Sequence, residues 1–262
     1  MVNITLGQYF PGNSPLHRMD PRAKILLTIV LIVAVFLASS LPAYALMFLF
    51  IGGMAALSRI DVRFMLKGLK PVFYVIVFTF VLNLFFTSGG ETLFAWKFIR
   101  VTDQGLKSAG FMALRLVLLI LGTQLLTLTT SPIALTDGLE SLLKPLARIG
   151  FPAHELAMMM SIALRFIPTL MEETDKIMKA QMARGADFET GNLIEKAKAM
   201  LPLLVPLFVS AFRRADELAL AMEARCYRGG EHRTRMKRLR YSRVDGWAAL
   251  VMAALLAAII LL

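Results

Sequence analysis

The sequence has little cysteine and none of the glycine-rich motifs that bind nucleotide phosphates. Its one cysteine, Cys226, excludes an intrachain disulfide and cannot by itself supply a thiolate cage for zinc. No G-x-x-x-x-G-K-[ST] or G-x-G-x-x-G stretch occurs, so the chain has no sequence basis for binding nucleotide. His154-Glu155 lacks a second histidine at the spacing of a zinc-protease helix. We therefore expect no catalytic site, no metal and no cofactor.

Charged residues are scarce over long stretches, and those present are mostly basic. Of the 262 residues, 57% are hydrophobic, and the mean hydropathy of +0.66 excludes both an ordinary water-soluble globule and a disordered chain. Lys and Arg number 29 against 18 Asp and Glu, a net charge of +11. Residues 1–24 hold prolines and basic residues before any apolar run, so we expect no cleaved secretory peptide.

Uncharged runs of sufficient length predict about five transmembrane helices. Residues 25–58 are too long for one span, and Ser39-Ser40-Leu41-Pro42 divides them into two. Three further spans are predicted at 71–88, 108–131 and 246–262. Backbone groups find no water in the bilayer, so these spans should be helices.

The charges of the connecting segments predict the orientation. The N-terminal segment and residues 59–70 are rich in Lys and Arg, which places them in the cytoplasm by the positive-inside rule. The uncharged hairpin tip at 39–42 and the nearly balanced loop 89–107 then face outward. This order leaves 132–243 cytoplasmic. Its basic run 232–240 is interpreted as an anchor to anionic lipid, with partner or nucleic-acid contact as lesser alternatives.

Residues 132–243 are neither a normal soluble domain nor a set of spans. Helical periodicity predicts long amphipathic helices from Glu155 to Arg184, bent at Pro168, and from Glu195 to Arg225, with a shorter one near 133–148. The apolar block 199–212 is short for a span, and its crossing would carry a basic segment outside. These helices should instead form a platform at the membrane interface.

An arginine ends each long helix, in Ala183-Arg184-Gly185 and in Ala224-Arg225-Cys226. One interpretation is capping, since a cation favours the negative end of a helix and glycine suits a left-handed cap. The other is recognition, in which two separated guanidinium groups anchor in grooves of a partner.

Several motifs resemble the transmembrane T component of energy-coupling factor (ECF) transporters. They are Gly7-Gln8-Tyr9, Ser14-Pro15-Leu16-His17-Arg18-Met19-Asp20-Pro21-Arg22-Ala23-Lys24, Leu164-Arg165-Phe166-Ile167-Pro168, Ala183-Arg184-Gly185 and Phe212-Arg213-Arg214-Ala215-Asp216-Glu217. The resemblance implies a scaffold that joins two cytoplasmic ABC-type ATPases to a membrane S component capturing a vitamin or metal ion. It also implies that the two Ala-Arg motifs insert into grooves of the ATPases, with Cys226 replacing the glycine of the second motif.

The resulting prediction is an all-α membrane protein of the prokaryotic cell membrane. Its domains are 1–131, a bundle of four spans; 132–243, a cytoplasmic coupling domain; and 244–262, a fifth span. Its expected role is non-catalytic coupling in an ATP-driven importer, with the ATPases, the S component and lipid as partners and no nucleic acid. The alternatives are a stand-alone secondary transporter or channel, which needs ionisable groups deep in several spans, and an intramembrane enzyme.

Two features of the spans have alternative interpretations. Arg115, inside the fourth span, either marks a transport pathway or extends its charge to the outer boundary, which is the favoured reading. Gly52-Gly53 with Ala55-Ala56 provide a small-residue surface. That surface should serve packing within the chain, with docking of the S component as the alternative.

Overall fold

The computed structural model describes residues 9–87, 89, 92–96, 99–188, 192–229 and 239–262. These form the helices α1 Pro15–Arg18, α2 Pro21–Leu37, α3 Leu41–Ser58, α4 Val62–Leu69, α5 Phe73–Phe86, α6 Asp103–Thr129, α7 Pro132–Leu143, α8 Ala153–Ala183, α9 Leu193–Ala224 and α10 Arg243–Leu261. Single 3-10 segments occupy Lys70–Val72 and Lys144–Ile149. The all-α membrane fold is thereby confirmed.

Four helical stretches are long and apolar enough to cross a membrane: Leu41–Ser58, Val62–Phe86, Asp103–Thr129 and Arg243–Leu261. The remaining predicted span corresponds to α2, which has 17 residues, the short end of the range for a span. Neither α8 nor α9 belongs to the four.

Two local features differ from the sequence-based expectation. Residues 59–70, expected as a loop, contain α4, because Asp61 caps a helix by accepting the Arg63 N–H. The expected loop 89–107 contains a two-stranded antiparallel hairpin, β1 Thr92–Trp96 and β2 Ile99–Thr102. Within the described ranges this hairpin is the only sheet.

The chain forms two compact units. The first comprises Met1–Leu142 and Arg238–Leu262, and the second comprises Leu143–Lys237. The predicted domain boundary at 131/132 stays a prediction; in the structure, α7 belongs to the first unit except for its last residue, Leu143.

The core of the first unit surrounds α3. Met47 and Ala43 of α3 are fully buried, as are Ala34 and Val35 of α2, and Leu118 of α6 completes the contact. The predicted hairpin of α2 and α3 therefore exists and packs on α6. Ser40 caps α3 and Pro42 stands in its first turn, where a missing N–H costs nothing.

One end of this unit, which we call the basal end, gathers helix termini that are far apart in sequence. The Phe10 N–H donates to the Leu128 carbonyl (3.0 Å), and the Asp20 N–H donates to the Asp245 carboxylate (2.9 Å). Lys24 donates to the carbonyl of Thr129 at the end of α6. The starts of α2 and α10 and the end of α6 thus lie together.

Asp20 is the main polar residue of the basal end. Its carboxylate caps α2 by accepting the Arg22 N–H and forms an ion pair with the Arg22 guanidinium at 2.9 Å. Burial by itself would raise the pKa of Asp20, but the hydrogen bonds and charge of Arg22 outweigh burial and lower it.

Arg115 lies toward the opposite end. Its Nη2 donates to the carbonyl of Ala38, the residue that ends α2, at 3.4 Å, and its guanidinium lies 5.5 Å from the Phe36 ring. Both contacts are within the protein, so Arg115 joins α6 to the end of α2. The favoured interpretation from the sequence, that Arg115 extends its charge to the outer boundary, did not include these two contacts.

Only part of the small-residue surface packs within the chain as expected. A Cβ added at Gly52 or Gly53 would meet no atom within 4 Å, and both glycines are exposed. Ala55, three residues after Gly52, is buried in the core, whereas Ala56 is exposed.

Candidate functional site

The two long helices of the second unit, α8 and α9, pack antiparallel. Near the start of α8, His154 Nε2 lies 3.4 Å from the hydroxyl of Tyr227, just beyond the end of α9. In the second half of α8, Glu173 contacts Ser210 and Arg214 of α9. Residue numbers rise along α8 as they fall along α9, so the two C-terminal tips point in opposite directions.

Glu173 is the main polar contact between these helices. One carboxylate oxygen accepts a hydrogen bond from the Ser210 hydroxyl at 2.5 Å, and the other forms an ion pair with Arg214 at 3.0 Å. The Ser210 hydrogen bond lowers the pKa of Glu173; slight burial opposes this, and the charges of Arg214 and Lys176 lower it further. Glu173 is therefore held in its charged form.

This contact was not among the predictions from the sequence, which gave Glu173 no role. The available signal was its position, since Glu173 lies between Leu170 and Ile177 at the spacing of the apolar stripe. A carboxylate on an apolar stripe calls for a partner on the facing helix, but the sequence does not say which residue faces it.

The ends of α8 and α9 have the same backbone geometry. Arg184 has φ −91° and ψ 7°, and Arg225 has φ −93° and ψ 11°. After Arg184, the Gly185 N–H donates to the Met182 carbonyl and the Ala186 N–H to the Gln181 carbonyl, both at 3.0 Å. This pair of bonds is a Schellman cap.

The second cap repeats both bonds despite its cysteine. The Cys226 N–H donates to the Glu223 carbonyl (2.8 Å), and the Tyr227 N–H donates to the Met222 carbonyl (3.0 Å). Gly185 has φ 89°, and Cys226 has φ 54° in the same left-handed region. The replacement of glycine by cysteine leaves the cap unchanged and introduces a residue with a Cβ into a conformation that glycine adopts more easily.

Both arginines are exposed at well-separated places. His154, near the start of α8, contacts Tyr227, which lies beside Arg225. At roughly 1.5 Å per residue, α8 extends about 45 Å from His154 to Arg184. The structure does not bring Arg184 and Arg225 together. Their backbones contribute to the caps while their side chains stay free to reach a partner, so both sequence-based interpretations are compatible with the geometry. Ala183 and Ala224 end the two helices beside them and are also exposed.

The middle of α9 carries an uncovered apolar surface. Its large side chains are exposed: Leu201, Leu204, Val205, Phe208, Val209 and Phe212. Leu203 is buried. The helix runs unbroken through Pro202 and Pro206, and α8 likewise runs through Pro168. So large an apolar surface indicates a partner or lipid contact.

Comparison with known proteins gives consistent matches over most of the chain. The family model described as the cobalt transport protein CbiQ matches residues 12–236. A relative from Thermosediminibacter oceani, named energy-coupling factor transporter transmembrane protein EcfT, is 60% identical over 257 residues, covering 98% of this chain and 96% of the relative.

Relatives with the same name occur in other bacteria. The one from Clostridium kluyveri is 60% identical over 249 residues, covering 95% of this chain and 92% of the relative. The one from Bacillus subtilis is 52% identical over 259 residues, covering 98% of both.

Proposed function

Because the chain belongs to the family of energy-coupling factor transporter transmembrane proteins, we propose that it is the coupling subunit of an ECF-type importer. In this proposal it links two cytoplasmic ABC-type ATPases to a membrane S component that captures a vitamin or metal ion. ATP is hydrolysed by the ATPases, and this chain transmits their movement to the S component.

The observation that carries the proposal is the pair of equivalent helix caps. Two exposed guanidinium groups, Arg184 and Arg225, stand on matching Schellman caps about 45 Å apart along an antiparallel pair. A planar guanidinium with five N–H donors suits a groove lined by carboxylates or carbonyls. Two equivalent tips suit two similar ATPase subunits, and the long helices suit the role of levers between ATPases and membrane.

The exposed apolar surface of α9 is the proposed seat of the S component. A membrane-embedded partner presents an apolar surface of its own, and burial of apolar area stabilises association by roughly 25 cal/mol per Å². The exposed methionines Met159 and Met160 of α8 and Met200 of α9 adapt readily to a partner whose position changes.

We further propose that the basal end and the second unit face the cytoplasm. Arg18, Arg59, Arg63, Lys67 and Lys70 are exposed in the segments that reach this end. The positive-inside rule favours the cytoplasm for such a cluster.

The test is co-purification of the ATPases with the full-length chain from native membranes. The double substitution Arg184→Glu/Arg225→Glu should abolish ATPase retention, because it reverses the charge at both tips while leaving the cap backbone bonds intact. Each single substitution should weaken retention of the ATPase at the altered tip by about tenfold or more. Retained S component would show that the apolar surface of α9 is intact.

The matched control is Lys179→Glu/Lys198→Glu, which makes the same change of net charge at exposed sites on the same two helices. ATPase retention should be unchanged in this control. Normal assembly in the arginine double variant would refute the assigned roles, and equal loss in the control would show that net charge, rather than the tips, governs attachment.

A further inference from the structure

A cleft of about 260 Å³ opens in the first unit among α2, α3, α6 and α10. Buried aliphatic residues form its floor, represented by Leu31 of α2, Ile51 of α3 and Leu125 of α6. Gly122 of α6 lies in the same floor, where a Cβ would come within 2.7 Å of Leu31 Cδ2. The cleft is a slot of apolar side chains between spans.

The mouth of the cleft is formed by exposed side chains of two spans. Trp247 of α10 is 69% exposed, Leu57 of α3 is 55% exposed, and Val251 of α10 is 46% exposed. Both helices are long and apolar enough to cross a membrane. The mouth therefore faces the surroundings of membrane helices, which are lipid.

A buried cation stands at the basal end of the cleft. Lys24 lines the cleft and is only 7% exposed; its Nζ donates to the Thr129 carbonyl at 2.9 Å and to the Thr130 hydroxyl at 3.0 Å. An ammonium group has three N–H donors, so one remains for a ligand.

The carboxylates near Lys24 form their ion pairs and hydrogen bonds with other groups. Asp20 is paired with Arg22, and Asp245 accepts the N–H of Asp20 and both the N–H and the hydroxyl of Ser242. Among the residues that the structure describes, no carboxylate forms an ion pair with Lys24. A buried ammonium without an ion-pair partner favours an anionic ligand.

We propose that this cleft binds one anionic phospholipid, with an acyl chain in the apolar slot and the phosphate bound by Lys24. The apolar floor matches an acyl chain, and the single cation at the basal end matches a headgroup phosphate at the bilayer interface. Trp247 at the mouth lies near the start of α10, and tryptophan is enriched at the ends of membrane spans, at the headgroup level. The bound lipid fills the gap between α3 and α10 and holds these spans together.

Lipid retention by the purified full-length chain tests the proposal. Native mass spectrometry in detergent, with phosphatidylglycerol or phosphatidylcholine added, counts the bound lipids. We expect one tightly retained phosphatidylglycerol, bound about tenfold more tightly than phosphatidylcholine. Lys24→Met should remove this preference.

Two neighbouring substitutions separate the cleft from the general lipid layer. Ala248 lines the cleft, whereas Ala249 is exposed and does not line it. Ala248→Phe should abolish the retained lipid by filling the slot, and Ala249→Phe should leave it bound. Because Ala248→Phe leaves the Lys24 hydrogen bonds untouched, it remains informative if Lys24→Met fails to fold.

Equal retention by the two phenylalanine variants, or no retained lipid in the unmodified chain, would overturn the proposal. Equal affinity for the two lipids in the unmodified chain would overturn the role of Lys24. None of these measurements involves the ATPases, so their outcome is independent of the proposed coupling function.

Discussion

Gly185 and Cys226 occupy the same position in two equivalent Schellman caps, both with positive φ. Glycine adopts this conformation without steric cost, whereas a residue with a Cβ is disfavoured by roughly 1–2 kcal/mol. The cap of α9 is thus maintained against a local cost that the cap of α8 does not carry.

Exchanging the two residue types should shift stability in opposite directions. Cys226→Gly should stabilise the protein by about 1 kcal/mol, and Gly185→Cys should destabilise it by a similar amount. Thermal unfolding of the detergent-solubilised chain measures both. Cys226→Ala removes the thiol but keeps the Cβ, so its midpoint should match the parent; a rise equal to that of Cys226→Gly would assign the effect to the thiol.

The single cysteine also provides a test of orientation. Cys226 is exposed and lies on the cytoplasmic side in the proposed orientation. A membrane-impermeant maleimide should therefore label it only after permeabilisation of cells that express the chain alone. The comparison is Ser39→Cys/Cys226→Ser, which moves the thiol to the exposed hairpin tip and should be labelled in intact cells. Labelling of Cys226 in intact cells would reverse the proposed orientation.

The contact of Glu173 with α9 should depend on pH. The pKa of Glu173 is lowered from its ordinary 4.5, so its stabilising contribution is fully present above 4.5 and is lost as the pH falls through the lowered value. Glu173→Gln should therefore reduce the unfolding midpoint at pH 7. The difference from the parent should disappear at strongly acidic pH.

The control for this measurement is the adjacent Glu172→Gln. Glu172 is exposed on α8. Its substitution should leave the midpoint nearly unchanged across the same pH range, since exposed charges contribute little. A pH-independent loss in Glu173→Gln would mean that shape, rather than charge, maintains the contact.

Arg115 should contribute to stability through its contacts with the end of α2. Arg115→Met removes the hydrogen bond to the Ala38 carbonyl and the contact with Phe36, and it should cost about 1–3 kcal/mol. Lys107→Met breaks an exposed ion pair with Asp103 and should cost less than about 1 kcal/mol. Loss of transport by Arg115→Met at unchanged thermal stability would instead favour a role in a pathway.

The order and approximate ends of the helices could be predicted because the signals are local. Apolar run length identified the spans, Ser39 to Pro42 identified the turn between α2 and α3, and Gly185 identified the end of α8. The amphipathic helix starting at Glu155 begins two residues earlier in the structure.

Features that depend on contacts distant in sequence could not be predicted. The pairing of Glu173 with Arg214 requires the register of α8 on α9, and the cleft at Lys24 requires four helices in place. The helix α4 was missed because its basic residues dominated the charge pattern that defined the loop. The role of the arginine tips is a property of partners, so the residues alone leave capping and recognition open.

The bond between the Asp20 N–H and the Asp245 carboxylate has a consequence for biosynthesis. Asp245 belongs to α10, which the ribosome delivers only after all of Leu143–Lys237 has been made. Until then, the hydrophobic face of α2 that packs against α10 in the folded protein has no partner helix in the bilayer. The second unit is thus synthesised between the two parts of the first. During that interval, insertion machinery or lipid must contact the exposed apolar surface of the incomplete bundle.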